Sequence, residues 1–191
     1  LNYQYELSAA VYKILSKADP AFAAWLHDVG FPLEGRKFKL FSISNFHFGP
    51  GFRTHREDGS VSLGGTQMLI LSFFLTEAVG KFVAGVFLEQ RFGIGAGDWP
   101  AVDFQIQSVE ILPSPRVEPV MRFQTLSPVV LSHYEEGKTY EQYLSPEMPE
   151  YRNRFFDNLK NKYESARLAG LTSALPESYQ TDFKLLGPPR S

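Results

Sequence analysis

Hydrophobic residues recur at spacings of three and four along four stretches of the chain, a pattern typical of α-helices that bury one face. The stretches are residues 4–17, 20–29, 76–87 and 149–168. In the first stretch, Leu7, Val11 and Ile14 form the hydrophobic stripe, and Tyr12 lies at its edge. A tyrosine in that position can pack its ring against the core and point its hydroxyl into a groove. The last stretch is basic and is expected to end at Gly170.

The second helical stretch carries clear signals for its start and its end. Asp19 is a favourable N-cap residue, and Pro20 suits the first helical position because its missing N–H would have no partner there. Gly30 can adopt the left-handed conformation that ends a helix. His27 therefore falls in the last turn, where the negative end of the helix dipole and Asp28 both favour a protonated imidazole. This position suits a group that must donate a proton.

Other hydrophobic residues alternate or form short runs that predict strands between the helices. The expected strands are residues 38–43, 67–75, 102–106, 109–111, 120–132 and 179–186. Lys39 alternates away from the buried side of the first strand. Thr76 is placed to cap the helix that follows the second strand. The hydrophobic phase changes at residues 107–108, which indicates a bulge or two abutting strands.

The order of these elements predicts the fold class. The first part of the chain runs helix, strand, strand, helix, strand, and one further strand ahead of Leu1 would complete the βαββαβ order of a ferredoxin-like unit. A partial copy follows a proline-rich linker at residues 113–119. We therefore expect an α+β protein with tandem ferredoxin-like domains at residues 1–114 and 120–191. Because the chain starts without a methionine and stops after a strand-like run, we also expect truncation at both ends.

The composition is typical of a globular protein, since hydrophobic residues make up 43% and aromatic residues 15% of the chain. The lack of cysteine excludes a disulfide framework, a thiolate nucleophile and a thiolate zinc site. No signal peptide is recognised, and no hydrophobic run approaches the roughly 20 residues of a membrane span. A soluble, cytoplasmic protein is therefore expected.

The charge distribution is uneven along the chain. The formal net charge of −2 gives no general reason to expect a polyanionic partner. Between residues 35 and 56, however, there is no acidic residue. The cations of this segment are Arg36, Lys37, Lys39, Arg53 and Arg56. Glycines and a proline at residues 49–65 predict an exposed loop or hairpin. These cations are candidates for binding phosphate groups, and the alternative is that they are simply solvated, which is usual for surface cations.

Five pieces of sequence occur in a recognisable order, namely YELSAAVYKIL, WLHDVGF, KFKLFSIS, TLSPVVLS and NLKNKYESA. Together they resemble the CRISPR-associated endoribonucleases of the RAMP superfamily, which cut the repeat in precursor CRISPR RNA. The resemblance implies tandem RNA-recognition-type domains and a metal-independent cut that leaves a 2′,3′-cyclic phosphate and a 5′-hydroxyl. By motif position it implies a catalytic set of Tyr12, His27 and Lys39. The family's opening strand and its glycine-rich loop near the C-terminus are absent, which again indicates truncation.

The chemistry of such a cut explains these residue types. A ribose 2′-hydroxyl that attacks the adjacent phosphate needs a base, an acid for the departing 5′-oxygen, and cations near the phosphate oxygens. His27 is the candidate for the principal acid or base, Tyr12 for its partner or an orienting hydroxyl, and Lys39 for electrostatic stabilisation. Which of His27 and Tyr12 handles which proton stays open, although an unperturbed tyrosine with a pKa of about 10 is a poor base. The RNA backbone is expected to be contacted by Arg36, Lys37, Arg53 and Arg56.

Two other classes of function remain open. The first is a non-catalytic subunit that retains repeat or guide RNA in a CRISPR effector complex, with the other subunits as partners. The second is a ferredoxin-like domain that serves as a structural subunit or binds a small ligand. Under the nuclease hypothesis the partner is repeat RNA, no membrane and no cofactor take part, and the protein is a monomer or homodimer. No metal site is expected, because the spacings of His47, His55 and His133 fit no zinc-ligand pattern.

Overall fold

The computed structural model of the protein describes residues 3–47, 51, 53–55, 57, 61–62, 64–95, 102–116, 118, 121, 123, 129–133, 142–177, 182 and 184–185. Within these residues, α-helices combine with short antiparallel strand pairs, which confirms the expected α+β class. The arrangement of the strands into tandem ferredoxin-like sheets stays a prediction. None of the described helices is both long enough and hydrophobic enough to cross a lipid bilayer.

All four predicted helices are present. They are α1 (Gln4–Ala18), α2 (Pro20–Asp28), α3 (Thr76–Leu88) and α4 (Pro149–Leu168). The described strands are β1 (Phe31–Leu33), β2 (Arg36–Phe38), β3 (Phe41–Ile43), β4 (Arg53–Thr54), β5 (Val61–Ser62), β6 (Leu71–Phe73), β7 (Arg91–Ile94), β8 (Val102–Gln105), β9 (Ser132–His133) and β10 (Gln142–Tyr143). The antiparallel pairs are β1 with β2, β3 with β6, β4 with β5, β7 with β8, and β9 with β10.

The chain divides into two compact units that do not follow the order of the sequence. The first unit comprises Leu1–Asp28 and Leu40–Ser127, and the second comprises Val29–Lys39 and Pro128–Ser191. The β1–β2 hairpin therefore belongs to the second unit, where β1 packs against α4. Glu34 and Gly35 form the turn of this hairpin with φ angles of 48° and 76°. Positive φ at both positions is what a tight two-residue hairpin turn of the I′ type requires.

In the first unit, α1 packs against α2, α3 and β7. The hydrophobic stripe predicted on α1 is buried, with Leu7 and Ile14 among its residues. Leu7 also belongs to a cluster in which aromatic rings stack. The ring of Phe104 on β8 lies parallel to those of Phe46 and Phe92, with centroid distances of 5.0 and 5.1 Å. Stacked aromatic rings bury large areas, so this cluster holds the strands against α1.

The pairing of β3 with β6 places Phe41 opposite Phe73. Ser44 extends this connection beyond the regular ladder. Its N–H donates to the carbonyl oxygen of Ile70 at 2.9 Å, and the N–H of Ile70 donates to the Ser44 hydroxyl oxygen at 3.0 Å. Ser44 is buried, so these bonds also satisfy polar groups that have left water. They hold β3, and with it Phe41, in register with β6.

The start and end of α2 are confirmed. Oδ1 of Asp19 accepts a hydrogen bond of 2.9 Å from the N–H of Phe22, as an N-cap residue does. The ammonium of Lys81 on α3 donates to the same carboxylate, and this bond holds the pKa of Asp19 below its ordinary value of 3.8. Lys81 also lies 4.8 Å from the centre of the Phe22 ring. Beyond the last helical residue, Asp28, Gly30 has a φ of 59°.

The prediction of one continuous strand over residues 38–43 is wrong, because the strand is interrupted. β2 ends at Phe38 and β3 begins at Phe41. Between them, Leu40 has a φ of 50°. Residues with a side chain adopt this left-handed conformation only rarely, because Cβ crowds the backbone. The break lies where the chain passes from the second unit back into the first, between Lys39 and Leu40.

The cap expected at the start of α3 is also wrong. The N-cap position is Leu75, whose side chain makes no capping bond, and Thr76 is the first helical residue. The strand after α3, residues 91–94, had no counterpart in the sequence pattern. It pairs with β8 over four residues, which buries Phe92 against Phe104 from the opposite strand.

The hydrophobic alternation after β8 does not form a strand. Residues 106–116 contain no strand, and both Val109 and Ile111 are exposed. Alternation favours a strand only where a partner supplies hydrogen bonds and a packed face, and the described part of the chain offers these residues no such partner. The strands expected at 120–132 and 179–186 lie largely outside the described residues, apart from β9.

α1 and α3 of the first unit approach each other closely at Gly85. A Cβ at this position would overlap the carbonyl oxygen of Ile14 on α1 and lie 2.8 Å from its carbonyl carbon. We expect Gly85→Ala to push α1 away from α3 and to lower the free energy of unfolding by roughly 1–3 kcal/mol, the usual cost of an overpacked core. Urea-induced unfolding followed by circular dichroism measures this change.

Gly80→Ala is the matched control on the same helix, because nothing lies within 4 Å of a Cβ built there. The free energy of unfolding should stay unchanged or rise by up to about 1 kcal/mol, since alanine favours a helix more than glycine does. Equal stability of the two variants would contradict the close contact between α1 and α3.

Candidate functional site

The fold brings two of the predicted catalytic residues into direct contact. Tyr12 lies in the middle of α1, and His27 lies in the last turn of α2. Their ring centroids are 5.0 Å apart, and the ring planes meet at 84° in an edge-to-face arrangement. The pairing follows from the packing of α1 against α2, which is fixed at its start by the Asp19 cap.

Phe41 holds the Tyr12 ring in place. Its ring on β3 lies 5.6 Å from that of Tyr12, at an interplanar angle of 80°, and contacts Phe73 on the paired strand at 5.7 Å. Phe41 lies within the strand expected over residues 38–43, but its contact with Tyr12 is set by helix-to-sheet packing. The Tyr12 ring therefore contacts both His27 and a rigid aromatic neighbour.

The half-buried position of Tyr12 has a consequence for its protonation. Burial raises the pKa of the Tyr12 phenol above its ordinary value of 10.0, because desolvation penalises the charged phenolate. The hydroxyl therefore keeps its proton at neutral pH. In this environment Tyr12 can donate a hydrogen bond or a proton, whereas the role of a base is strongly disfavoured.

His27 is far more open to solvent than Tyr12. The exposed fractions of the His27 and Asp28 side chains are 65% and 70%. Nδ1 of His27 lies 2.8 Å from Oδ1 of Asp28. The imidazole is therefore accessible to a polymeric substrate. One of its two nitrogens already lies within hydrogen-bond distance of a carboxylate.

The third predicted catalytic residue, Lys39, belongs to the second unit. It follows β2, is partly buried, and precedes the left-handed Leu40. Two residues further along the chain, Phe41 contacts Tyr12 within the first unit. The membership of Lys39 in the catalytic set stays a prediction.

The predicted RNA-binding cations occupy different places in the fold. Arg36 and Lys37 are exposed on β2, in the hairpin of the second unit. Arg53 is exposed on β4, which pairs with β5 in the first unit and so gives the expected hairpin. Arg56 lies outside the described residues. At the end of β4, Nε2 of His55 lies 2.7 Å from the hydroxyl oxygen of Ser62.

The described residues contain no group of three or more histidine, aspartate or glutamate side chains placed to hold a metal ion. Tyr12, His27 and Asp28 lie together where α2 ends. These three side chains offer a protonated phenol, an imidazole and a carboxylate, and the carboxylate lies on one side of the imidazole.

Two protein-family models match the chain. The family described as "CRISPR-associated protein Cas6, N-terminal" matches residues 1–110. The family described as "CRISPR associated protein Cas6, C-terminal" matches residues 112–186. The first match alone covers more than half of the chain.

Two curated proteins are similar over most of this chain. The "CRISPR-associated endoribonuclease Cas6 1" of Methanocaldococcus jannaschii is 31% identical over 168 residues, which cover 86% of this chain and 59% of that protein. The "CRISPR-associated endoribonuclease Cas6" of Pyrococcus furiosus is 26% identical over 166 residues, which cover 86% of this chain and 57% of that protein. The chain thus spans less than two thirds of the length of these relatives.

Solved structures share the fold. One described as "Characterization of a Cas6-related gene from Pyrococcus furiosus" has a TM-score of 0.70 at 20% identity and covers 93% of this chain and 66% of its own. One described as "CRISPR associated protein Cas6" has a TM-score of 0.61 at 28% identity, with coverages of 87% and 64%. "An RAMP protein binding different RNA substrates" has a TM-score of 0.62 at 18% identity, with coverages of 90% and 65%.

The protonation of Tyr12 can be measured directly. We expect the difference between the alkaline ultraviolet titrations of the wild type and Tyr12→Phe to have its midpoint above pH 10, because burial raises the pKa of this phenol. The folded protein binds the Tyr12 proton more tightly than the unfolded chain does, so neutral Tyr12 stabilises the fold. This stabilisation is fully present below pH 10 and is lost as the pH rises through the pKa of Tyr12 in the folded state.

Tyr5→Phe supplies the reference difference curve, since Tyr5 lies on the same helix with 80% of its surface exposed. A Tyr12 midpoint below pH 10 would show that the phenol ionises more readily than its burial implies. Tyr12 would then be available as a base after all.

Proposed function

The chain belongs to the Cas6 family of CRISPR-associated proteins, and on that premise we propose that it is an endoribonuclease that cuts CRISPR repeat RNA. Two similar curated proteins carry the name endoribonuclease, which supports cleavage over binding alone. The observation that carries the proposal is the contact between Tyr12 and His27 at an open helix end. It joins a proton donor to an imidazole where a long substrate can reach both.

The reaction proceeds by attack of a ribose 2′-hydroxyl on the adjacent phosphorus. The 2′-hydroxyl loses its proton to a base while the bond from phosphorus to the 5′-oxygen breaks, and that oxygen takes a proton from an acid. The products are a 2′,3′-cyclic phosphate and a 5′-hydroxyl. Because side chains can supply the base, the acid and the cation, the mechanism needs no metal ion.

The raised pKa of Tyr12 supports a division of roles. His27 is the base, because an imidazole nitrogen can take the 2′-hydroxyl proton. Tyr12 keeps its proton and donates it, or a hydrogen bond, toward the leaving 5′-oxygen. Lys39 stabilises the negative charge that develops on the phosphate oxygens.

We further propose that the fold is the tandem ferredoxin-like arrangement, with domains at residues 1–114 and 120–191, apart from the β1–β2 hairpin, which belongs to the second unit. The first unit supports this arrangement in its element order, because the antiparallel β3–β6 pair lies between α1 and α3 along the chain and β8 follows α3. The TM-scores of 0.61–0.70 to Cas6 and RAMP structures are consistent with the same architecture.

Cleavage depends on His27 and on the attacking hydroxyl. We expect His27→Ala to lower the single-turnover cleavage rate of repeat RNA by roughly 10²–10⁴-fold, the usual contribution of a positioned base. A 2′-deoxy substitution at the cut site should abolish cleavage and leave binding intact, while excess EDTA should have no effect. Denaturing gels of end-labelled RNA measure all three results.

His47→Ala is the matched control, since His47 is an exposed histidine of the same unit that has no assigned role. Its rate should equal that of the wild type. Tight binding of the repeat without any cleavage by the wild type would instead favour a non-catalytic RNA-binding subunit. Cleavage lost in EDTA and restored by magnesium would contradict the metal-independent mechanism.

The exposed cations of β2 and β4 should bind RNA phosphates. We expect the double change Arg36→Ala/Lys37→Ala to weaken repeat binding and to reduce the slope of log Kd against log salt concentration by about 1–2, since each lost phosphate contact lowers it by about 0.7–0.9. Arg53→Ala should reduce the slope by less than 1. Filter binding at several salt concentrations gives these values.

Arg91→Ala controls for the loss of one exposed positive charge, because Arg91 lies on β7, outside the predicted RNA-binding residues. It should change the slope little. Unchanged affinity in the β2 variant would remove the β1–β2 hairpin from the RNA interface.

A further inference from the structure

We infer that Asp28 positions the catalytic imidazole and selects the nitrogen of His27 that meets the substrate. The inference rests on the proposed nuclease function for its catalytic part. Its structural part concerns only which ring nitrogen of His27 carries the proton, and it stands on the described geometry. Asp28 acts through His27, so its role is that of a positioning residue.

The chemistry of the two groups determines the direction of the hydrogen bond. An ionised carboxylate can only accept, so the 2.8 Å contact requires Nδ1 of His27 to donate. A neutral imidazole carries a single proton, and with that proton on Nδ1 the lone pair lies on Nε2. Nε2 is then the atom that takes the proton of the 2′-hydroxyl.

The contact does not follow automatically from the sequence. Neighbouring side chains on an α-helix point in different directions, and residues i and i+1 do not face each other. His27 and Asp28 nevertheless meet in the last turn of α2, just before the chain leaves the helix at Gly30. The local arrangement therefore directs the carboxylate toward Nδ1.

Tyr12 completes the restraint on the imidazole. Its ring lies in edge-to-face contact with the His27 ring, while Asp28 is bonded at Nδ1. A ring contact and a hydrogen bond together limit rotation of the imidazole about both side-chain torsions. These two contacts orient the reacting nitrogen, and orientation is how a positioned base gains its advantage.

The exposure of His27 and Asp28 determines how strongly the loss of Asp28 should lower kcat. Both side chains are largely exposed, so in the free protein water competes with the bond and weakens it. A bound RNA that covers the helix end would exclude this water and strengthen the bond. We therefore expect Asp28→Ala to lower kcat by about 10- to 100-fold, the range seen when a partner that orients a histidine is removed.

The first experiment observes the tautomer and needs no activity. In protein labelled with ¹⁵N at its four histidines, the His27 signals are identified by their loss in His27→Gln. Long-range ¹H–¹⁵N correlation at a pH where the imidazole is neutral should show the proton on Nδ1 in the wild type. In Asp28→Ala it should move mainly to Nε2. A proton on Nε2 in the wild type, or no change in the variant, would overturn the inference.

The second experiment measures cleavage of repeat RNA. Asp28→Ala should lower kcat with little change in KM, and Asp28→Glu should recover part of the loss. Asp103→Ala, which removes an exposed carboxylate from β8, controls for the lost charge and should cleave normally. In a His27→Ala background, Asp28→Ala should cause no further loss, because Asp28 acts only through His27. Additive losses would assign Asp28 a separate role.

The two experiments separate the possible failures. If the wild type cuts no repeat RNA, the proposed function is wrong, while the tautomer result still tests the positioning by Asp28. If the wild type cuts and Asp28→Ala retains the full kcat, the nuclease stands and the positioning role is wrong.

Discussion

The close approach of α1 to α3 at Gly85 is the contact on which the geometry of the first unit depends. No side chain fits between Gly85 and the backbone of Ile14, so the two helices approach closely at this point. α2 is tied to the same helix α3 by the ion pair of Asp19 with Lys81. α3 therefore contacts α1 directly and the start of α2 through Lys81, while the contact between Tyr12 and His27 follows from the direct packing of α1 against α2.

The candidate site joins two side chains with opposite environments. Tyr12 is partly buried between His27 and Phe41, which keeps its phenol protonated, whereas His27 is exposed and bonded to Asp28. A general acid–base pair needs one group that holds a proton and one that can accept it. In the proposed acid–base pair, the difference in burial between Tyr12 and His27 supplies that distinction.

The distribution of charge bears on the proposed action of this acidic chain on RNA. Its 19 cationic residues are outnumbered by 21 acidic ones, so a uniform surface would repel a polyanion. The segment between residues 35 and 56 contains lysines and arginines but no acidic residue. Its residues Arg36, Lys37 and Arg53 are exposed. Arg36 and Lys37 lie on the β1–β2 hairpin of the second unit, and Lys39 follows that hairpin directly along the chain. Arg53 belongs to the first unit. Both units therefore contribute candidates for phosphate contacts.

The sequence alone determined the features that depend on residues close together in the chain. The four helices, the Asp19 cap and the left-handed glycines after α2 and α4 follow from periodicity and backbone sterics, which act over a few residues. Tyr12 and His27 were singled out by residue type and by resemblance to a family, and each lies on the helix that periodicity predicted.

Only the tertiary structure decided which segments pair and which residues meet. The break at Leu40, the strand β7 and the lack of a strand at residues 106–116 all depend on partners far away in the chain. The assignment of the β1–β2 hairpin to the second unit has the same origin. Tyr12 and His27 touch because two helices pack together, and the Cβ that is missing at Gly85 permits the approach of α1 to α3. Such contacts arise from the shape of packed surfaces, which no local pattern of residues encodes.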